Sequence, residues 1–358
     1  MDQETSGHSP RYAAMKEEES MNRFDSSTQF GWYRIGDLKN TSGTLKVHLP
    51  EGPQNMKLFQ DGLPLESIQY DGESGFIHSI KIGSSCEYLT LLVQSLGGSS
   101  AGNKQIESTG VHEPIDVLEK FDDFKFSFES DMAPINSFDA GSFILECTDG
   151  VSSPQEYSWT FTHRRKKSLR IVPGASISGT WLLNDEPLTR SESANQRSFV
   201  LSPVETKTFK TGKNRLVFRP DFGKEHLSEG LGKSLRIWEI VDTLGTNSKT
   251  LAFATNRIPD GVLHSYAPLK GSSRPKTGTP TWYQSMITSE SNGGLMIDLS
   301  SMSRGVVHIN GDVLGTYDSG DEAMVCLPGG KVSVGDTLDI FDVEGSDPRK
   351  VSIINQSF

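Results

Sequence analysis

Apolar positions along the chain either alternate with polar ones or run together for four to seven residues, and clusters of Gly, Pro, Asn, Asp and Ser separate these stretches. Phe124-Lys125-Phe126-Ser127-Phe128 alternates strictly, whereas Ser142-Phe143-Ile144-Leu145-Glu146-Cys147 and Gly305-Val306-Val307-His308-Ile309 are short apolar runs. A period of two, and short apolar runs bounded by turn residues, are the signals of strands. The best helical candidate, around residues 115–124, lacks a 3.6-residue period. Many short strands with frequent turns predict an all-β chain folded as a β-sandwich or jelly roll, in which two sheets bury each other's apolar faces.

The pattern repeats three times. An aromatic strand recurs at Trp32-Tyr33, Tyr157-Ser158-Trp159 and Trp282-Tyr283, and its tryptophans step by 127 and 123 residues. An apolar strand opens at Leu45, Leu169 and Leu295, with steps of 124 and 126. A turn follows at Asp61-Gly62, Asn184-Asp185 and Asn310-Gly311, and a last apolar strand opens at Leu89, Leu216 and Leu338. A period this long exceeds the roughly 20–50 residues of solenoid repeats and suits whole domains of about 100–150 residues. It predicts a polar arm at 1–28 and three copies of one domain at 29–119, 120–241 and 242–358. Their final strands are expected at 114–118, 235–240 and 351–354. The polar arm has the composition of a disordered segment unless something holds it, as a neighbouring subunit in an assembly would.

A formal charge of −11 and a pI near 5.3 remove any general attraction to phosphates or anionic membranes. Nucleic acid and membrane are therefore not expected partners. The run His163-Arg164-Arg165-Lys166-Lys167 is the local exception, and as a short charge block after a strand it is expected to be a solvated loop, with a contact patch or a targeting signal as the alternatives. Three widely spaced cysteines, Cys86, Cys147 and Cys326, suggest free thiols, with Cys86 and Cys326 buried in strands. No apolar run precedes Phe30 and none approaches the length of a membrane span. The expected location is the cytoplasm or the inside of a macromolecular particle.

The strongest local motif is Thr281-Trp282-Tyr283-Gln284-Ser285-Met286-Ile287, then Leu295-Met296-Ile297-Asp298-Leu299-Ser300-Ser301-Met302-Ser303-Arg304-Gly305, then Asn310-Gly311 and Gly315-Thr316-Tyr317. It resembles the C-terminal jelly-roll, galactose-binding-like modules of family 35 β-galactosidases. The first copy carries the resemblance more faintly around 30–35 and 88–102, and the middle copy around 179–185. The catalytic barrel of those enzymes has no counterpart, because no alternating strand and helix pattern of about 250 residues occurs here. The resemblance therefore implies the fold and, as a second possibility, recognition of galactosides. A structural Ca²⁺ is compatible with such modules, although no loop shows ligand spacing; no other cofactor is expected.

Catalytic signals are missing from the sequence. Neither Gly-x-Ser-x-Gly nor a phosphate loop occurs, and the eight histidines are scattered without metal-ligand spacing. His48 and His308 are expected to be strand histidines, and Asp312 and Asp339 turn or surface aspartates. Trp282 and Tyr283 recur between copies and are expected to pack in the core. Trp181 and Trp238 have no counterparts, so with Arg164, Arg165, Lys166 and Lys167 they are the candidate ligand or partner contacts. The chain is accordingly expected to be no enzyme but a structural or interaction protein that acts through surface and arm contacts in a larger assembly, binding a protein partner or its own copies. A glycan-binding protein and an accessory part of a glycoside hydrolase are the alternatives.

Overall fold

The computed structural model describes residues 2–15, 29–36, 38, 42–50, 54–69, 77–96, 110–111, 115–129, 156–164, 167–173, 179–191, 198–220, 235–244, 251–256, 258, 277–288, 294–319, 323–327 and 332–356. Strands make up nearly all the regular structure of these residues. The one α-helix among them spans Asp2–Thr5, and no helix is long and apolar enough to cross a membrane.

After a short β1 (Ala13–Ala14), the first stretch contains β2 (Phe30–Ile35), β3 (Gly43–His48), β4 (Gln54–Gln60), β5 (Leu63–Ile68), β6 (Ile77–Ile82), β7 (Leu89–Ser95) and β8 (Ile115–Lys120). The second contains β9 (Phe124–Glu129), β10 (Glu156–His163), β11 (Leu169–Val172), β12 (Gly179–Leu183), β13 (Glu186–Ser191), β14 (Phe199–Leu201), β15 (Gly212–Pro220) and β16 (Arg236–Leu244). The third contains β17 (Leu251–Thr255), β18 (Thr281–Met286), β19 (Gly294–Asp298), β20 (Gly305–Ile309), β21 (Asp312–Tyr317), β22 (Met324–Leu327), β23 (Thr337–Asp342) and β24 (Ser352–Gln356). Of the expected strands, that at 142–147 lies outside the described residues.

One pairing scheme recurs three times. Four strands in the order β2-β7-β4-β5 are matched by β10-β15-β12-β13 and by β18-β23-β20-β21. Three strands in the order β8-β3-β6 are matched by β16-β11-β14 and by β24-β19-β22. In each copy the two sets face each other across an apolar core, built around Tyr33, Val47 and Leu91 in the first, Tyr157, Ile171 and Leu216 in the second, and Tyr283, Ile297 and Ile340 in the third. Alternation places every second side chain inward, which is why the period-two pattern was the signal.

The same turn closes β4–β5, β12–β13 and β20–β21. Its first residue has positive φ in every copy: Asp61 at 45°, Asn184 at 53° and Asn310 at 50°. The second follows suit, with Gly62 at 88°, Asp185 at 71° and Gly311 at 89°, as a type I′ hairpin requires. Each first residue also brackets the strand alongside. The side-chain oxygens of Asp61, Asn184 and Asn310 accept from the backbone N–H groups of Tyr88, Arg215 and Thr337 at 2.9 Å in all three cases. The Asx side chain thus satisfies a backbone donor just before β7, within β15 or at the start of β23 while tolerating the left-handed backbone.

These brackets fix the equivalences between copies, and they revise the aromatic landmark. Tyr33, Tyr157 and Tyr283 pair with Leu91, Phe218 and Ile340, each two residues beyond Leu89, Leu216 and Leu338. The repeated aromatic is therefore the tyrosine, with steps of 124 and 126. Trp159 sits two residues further along its strand and shares a place with Ile35 and Ser285. Trp32 and Trp282 are equivalent, with Glu156 at that place in the middle copy, and they do not face the sandwich cores. They cluster instead with Phe30, Phe59, Val306 and Phe341, where the outer face of β2-β7-β4 meets that of β18-β23-β20. At the same contact Lys57 Nζ donates to Val343 O at 3.1 Å and pairs with Glu344.

The copies are also joined through backbone. β17 adds to β2 rather than to the third copy's own sheets, and β1 adds to β17. The boundary drawn at 241/242 falls inside β16, whose Ile237 packs into the second core while its Leu244 packs into the first. β8 and β16 pair antiparallel and merge two three-stranded sets into one six-stranded sheet. At this seam Glu119 lies opposite Glu239, Lys120 opposite Trp238 and Leu118 opposite Ile240. Val117 and Ile237 are the partners of the equivalent residues Val47 and Ile171, so Glu119 and Glu239 are themselves equivalent. The seam is thus a local two-fold, with like facing like.

The described part of the arm, residues 2–15, is held by its own chain. The Thr5 carbonyl accepts from Gly62 N–H at 3.0 Å and Thr90 Oγ1 at 2.7 Å, and Arg11 Nη2 donates to Thr255 O at 2.6 Å. Arg34 stacks on both Tyr12 and Tyr88 and donates to Gly7 O at 3.0 Å. An expectation of a neighbouring subunit as the clamp is therefore replaced, over these residues, by an intramolecular staple. Residues 16–28 lie outside the described set.

Candidate functional site

A constellation of polar side chains reached by the sequence candidate Trp238 lies on the outer face of the merged sheet. Strand alternation places Lys46 and His48 of β3, Asp116 and Leu118 of β8, Arg170 and Val172 of β11, and Trp238 of β16 on this face. Arg170 Nε donates to Asp116 Oδ2 at 2.8 Å, and Arg170 Nη1 donates to Ser198 Oγ at 2.9 Å. Ser198 Oγ lies 3.2 Å from His48 Nε2. Beside them Trp238 packs with Leu118 and Val172, and Lys46 Nζ lies 5.1 Å from the centre of its ring.

The Arg170–Asp116, His48–Ser198, Lys46–Trp238 and Leu118–Trp238 contacts cross from one copy to the other, whereas Arg170–Ser198 and Val172–Trp238 lie within the second. Asp116, His48, Lys46 and Leu118 come from the first, and Arg170, Ser198, Val172 and Trp238 from the second. Arg170 and Asp116 are only 3% and 5% exposed, and His48 is fully buried. Burying two opposite charges is costly unless they are paired and hydrogen-bonded, as these are. A serine beside an imidazole suggests nucleophilic chemistry at first sight. Here the Asp116 carboxylate accepts from the guanidinium, and the serine oxygen accepts from that same guanidinium, so the groups tie strands together.

The basic run has a place in this arrangement. Lys167 Nζ lies 3.0 Å from Glu239 Oε1, beside the facing Glu119 and Glu239 of the seam. It offsets a like-charge pair that is unfavourable across a sheet. Arg164 is exposed, whereas Arg165 and Lys166 lie outside the described residues. His163, at the start of the run, is buried with its ring 4.7 Å from that of Phe209, and burial holds it below the ordinary imidazole value.

Neither candidate tryptophan is presented to solvent. Trp181 is a core residue between Trp159, Phe199 and Phe218, with ring centres at 5.7, 5.1 and 4.7 Å. Both Trp181 and Trp238 are 5% exposed, so neither offers a free aromatic face on which a sugar can stack. Trp238 nevertheless marks a special place, the seam, which an unshared residue in a repeat is suited to do.

A second polar row was missed in the sequence. On the outer face of the third copy, Gln284, Asp339 and His308 lie side by side on β18, β23 and β20, next to Trp282. Gln284 Nε2 donates to Asp339 Oδ1 at 2.9 Å, His308 Nδ1 lies 3.2 Å from the Gly311 carbonyl, and the His308 ring meets Trp282 edge-on at 5.3 Å. Burial raises Asp339 above its ordinary value and lowers His308 below its own. Asp339 was expected in a turn or on the surface, yet it is buried mid-strand, whereas Asp312 is exposed at a strand start. Period-two alternation from Trp282 through Gln284 was the signal that was available.

Close by, Asp342 is fully buried and gathers five donors. Its Oδ2 accepts from Ser303 N–H, Ser303 Oγ and Tyr317 Oη at 2.9, 3.0 and 3.1 Å, and its Oδ1 from the N–H groups of Glu344 and Ser346 at 3.1 and 2.8 Å. Gly305 lets the Phe341 carbonyl approach so closely that a Cβ there would overlap the oxygen. The motif residues Ser303, Gly305 and Tyr317 thus serve to hold β20, β21 and β23 together around one carboxylate.

Of the cysteines, Cys86 is buried and free with its thiol pushed up to about 11 by burial, whereas Cys326 is exposed rather than buried. Cys147 lies outside the described residues. Among the described residues no three His, Cys, Asp or Glu side chains gather as a metal site would require. In comparisons with known proteins, the chain matches no family model and no curated protein.

Proposed function

We propose that this chain is a non-catalytic structural and interaction protein. It is built from three tandem jelly-roll sandwiches like the C-terminal modules of family 35 β-galactosidases, and it acts through its surfaces in a larger assembly, in the cytoplasm or inside a macromolecular particle. The three units are close to 29–119, 120–241 and 242–358, with β17 lent by the third segment to the first sandwich. The observation that carries this proposal is the use made of buried polar chemistry: the Arg170–Asp116 and His48–Ser198 contacts link one copy to the next. Groups committed to such ties fix the mutual placement of copies, which a scaffold needs. The described part of the arm also staples the first copy, and the arm and the outer surfaces are the proposed partner contacts.

Galactoside recognition is the second proposal, favoured by the row of Gln284, Asp339 and His308 beside Trp282, since planar polar groups next to an aromatic suit a sugar. Against it, Trp282, Asp339 and His308 are 7%, 3% and 4% exposed. A role as the accessory part of a glycoside hydrolase rests on the sequence resemblance alone. The direct test of the non-enzyme proposal is hydrolysis of a chromogenic β-galactoside by the isolated chain. No turnover is expected; turnover that is lost in an Asp339→Asn variant would replace the scaffold with an enzyme.

A further inference from the structure

The seam between the first two copies is made by the last strand of each, and the third copy has the same strand, β24, at the end of its three-stranded sheet among the described residues. β24 pairs with β19 on one side, and among the described residues no strand pairs with its other edge. The registers make its residues equivalent to those of the seam. Ile353 is the partner of Ile297, as Val117 is of Val47 and Ile237 of Ile171. Ile354 is therefore the counterpart of Leu118 and Trp238, and Asn355 of Glu119 and Glu239.

In the first two copies the counterparts are covered, with Leu118 4% and Trp238 5% exposed, whereas Ile353 and Ile354 are 45% and 41% exposed. The apolar face continues from Ile354 across Met296 to the exposed Met324 and Cys326. An open edge strand with exposed β-branched residues is a ready template for another strand, and proteins normally blunt such edges with charge, proline or a cover. The sequence Ser352-Ile353-Ile354-Asn355-Gln356 has no charge or proline.

We infer that two copies of this chain associate through β24, antiparallel about a two-fold axis near Asn355, forming a six-stranded sheet in the order β22-β19-β24-β24-β19-β22. The occupant is a second copy rather than an unrelated strand because the seam already supplies the geometry. β8 and β16 meet as equivalents about a local two-fold, so one such strand is self-complementary in shape and register, as an isologous dimer contact must be. Within the chain that axis sets two glutamates opposite each other, with Lys167 beside them. In the third copy the same place is Asn355, so two copies meet there without like charges. This deepens the interaction-scaffold proposal by naming one partner and its surface.

The test is sedimentation velocity and light scattering on the full chain over a wide concentration range. A reversible species of twice the 39.3-kDa chain mass is expected. Ile354→Lys and Asn355→Glu should each raise the dimer dissociation constant at least about tenfold, because Asn355→Glu sets two like charges directly opposite each other at the axis and Ile354→Lys puts two like charges diagonally across it in place of apolar side chains. Val313→Lys, at an exposed apolar position on the edge strand β21, should leave it unchanged. Ile354 is 41% exposed, and unchanged circular dichroism and melting of both variants would show that the monomer is intact. A monomer at every concentration, or a dimer indifferent to Ile354→Lys and Asn355→Glu, overturns the inference. Either result leaves the scaffold proposal to be judged by the absence of turnover and glycan binding.

Discussion

Arg170 on β11 donates to Asp116 on β8 at 2.8 Å, and the two residues belong to different copies of the repeat. The pair joins what would otherwise be two separate sandwiches at the point where their sheets have become one. Because both partners are almost fully buried, the bridge is asymmetric in its consequences. Removing one charge strands the other, whereas replacing both with apolar groups of similar size does not.

Asp116→Ala is therefore expected to destabilise the first two copies by about 3–5 kcal/mol. The paired replacement Asp116→Leu with Arg170→Met should return stability to within about 1 kcal/mol of the parent or above it. Urea unfolding of the parent, the single variants Asp116→Leu and Arg170→Met and the pair, as a double-mutant cycle beside Asp116→Ala, measures this. Additive losses would mean that the pair is not the tie described.

Two glycines of the third copy should respond very differently to one added methyl group. Gly305→Ala places a Cβ on the Phe341 carbonyl and is expected to cost more than about 4 kcal/mol, beyond the usual range for a single substitution. Gly311→Ala meets open space and suffers only from its φ of +89°, a cost of about 1–2 kcal/mol. Thermal unfolding of the two variants gives the order directly, and equal losses would contradict the close packing of β20 against β23.

Acidification should weaken the fold before any carboxylate of ordinary value titrates. Burial lowers His308 and His163 below the ordinary 6.5, so between their folded values and 6.5 the unfolded chain binds more protons than the folded one. The stability they contribute is complete above pH 6.5 and is lost as pH falls from there through the folded values. Asp339, raised by burial, acts in the opposite sense above its ordinary value of 3.8. Melting temperature should fall between pH 7 and pH 5, and His308→Gln should flatten that fall. A parent melting temperature that does not change over this range would show that neither imidazole is held neutral by the fold.

Much of the architecture was legible because it is local. Gly305–Ile309 and Phe124–Phe128 are strands where alternation and apolar runs placed them, and Asn310-Gly311 forms the expected turn because only a few residue types accept positive φ. The repeat was legible too, but its tryptophans misled. Trp159 fills its own core from a different strand position, while Trp32 and Trp282 pack between copies, and one-dimensional spacing does not separate these. The candidate site was scarcely legible. Asp116 and Arg170 are 54 residues apart, and His48 and Ser198 are 150 apart, so the merged sheet alone brings them together. Lys167 was selected for its charge alone, and its role beside Glu239 depends on the same seam.

A glycan array probed with the full chain tests the non-catalytic scaffold most directly. With Trp181 and Trp238 enclosed, and the row beside Trp282 covered, no galactoside should be retained above background. Retention of a galactoside by the parent, lost on Trp282→Ala or Trp238→Ala while the variant still folds, would contradict the account and make the chain a carbohydrate-binding protein.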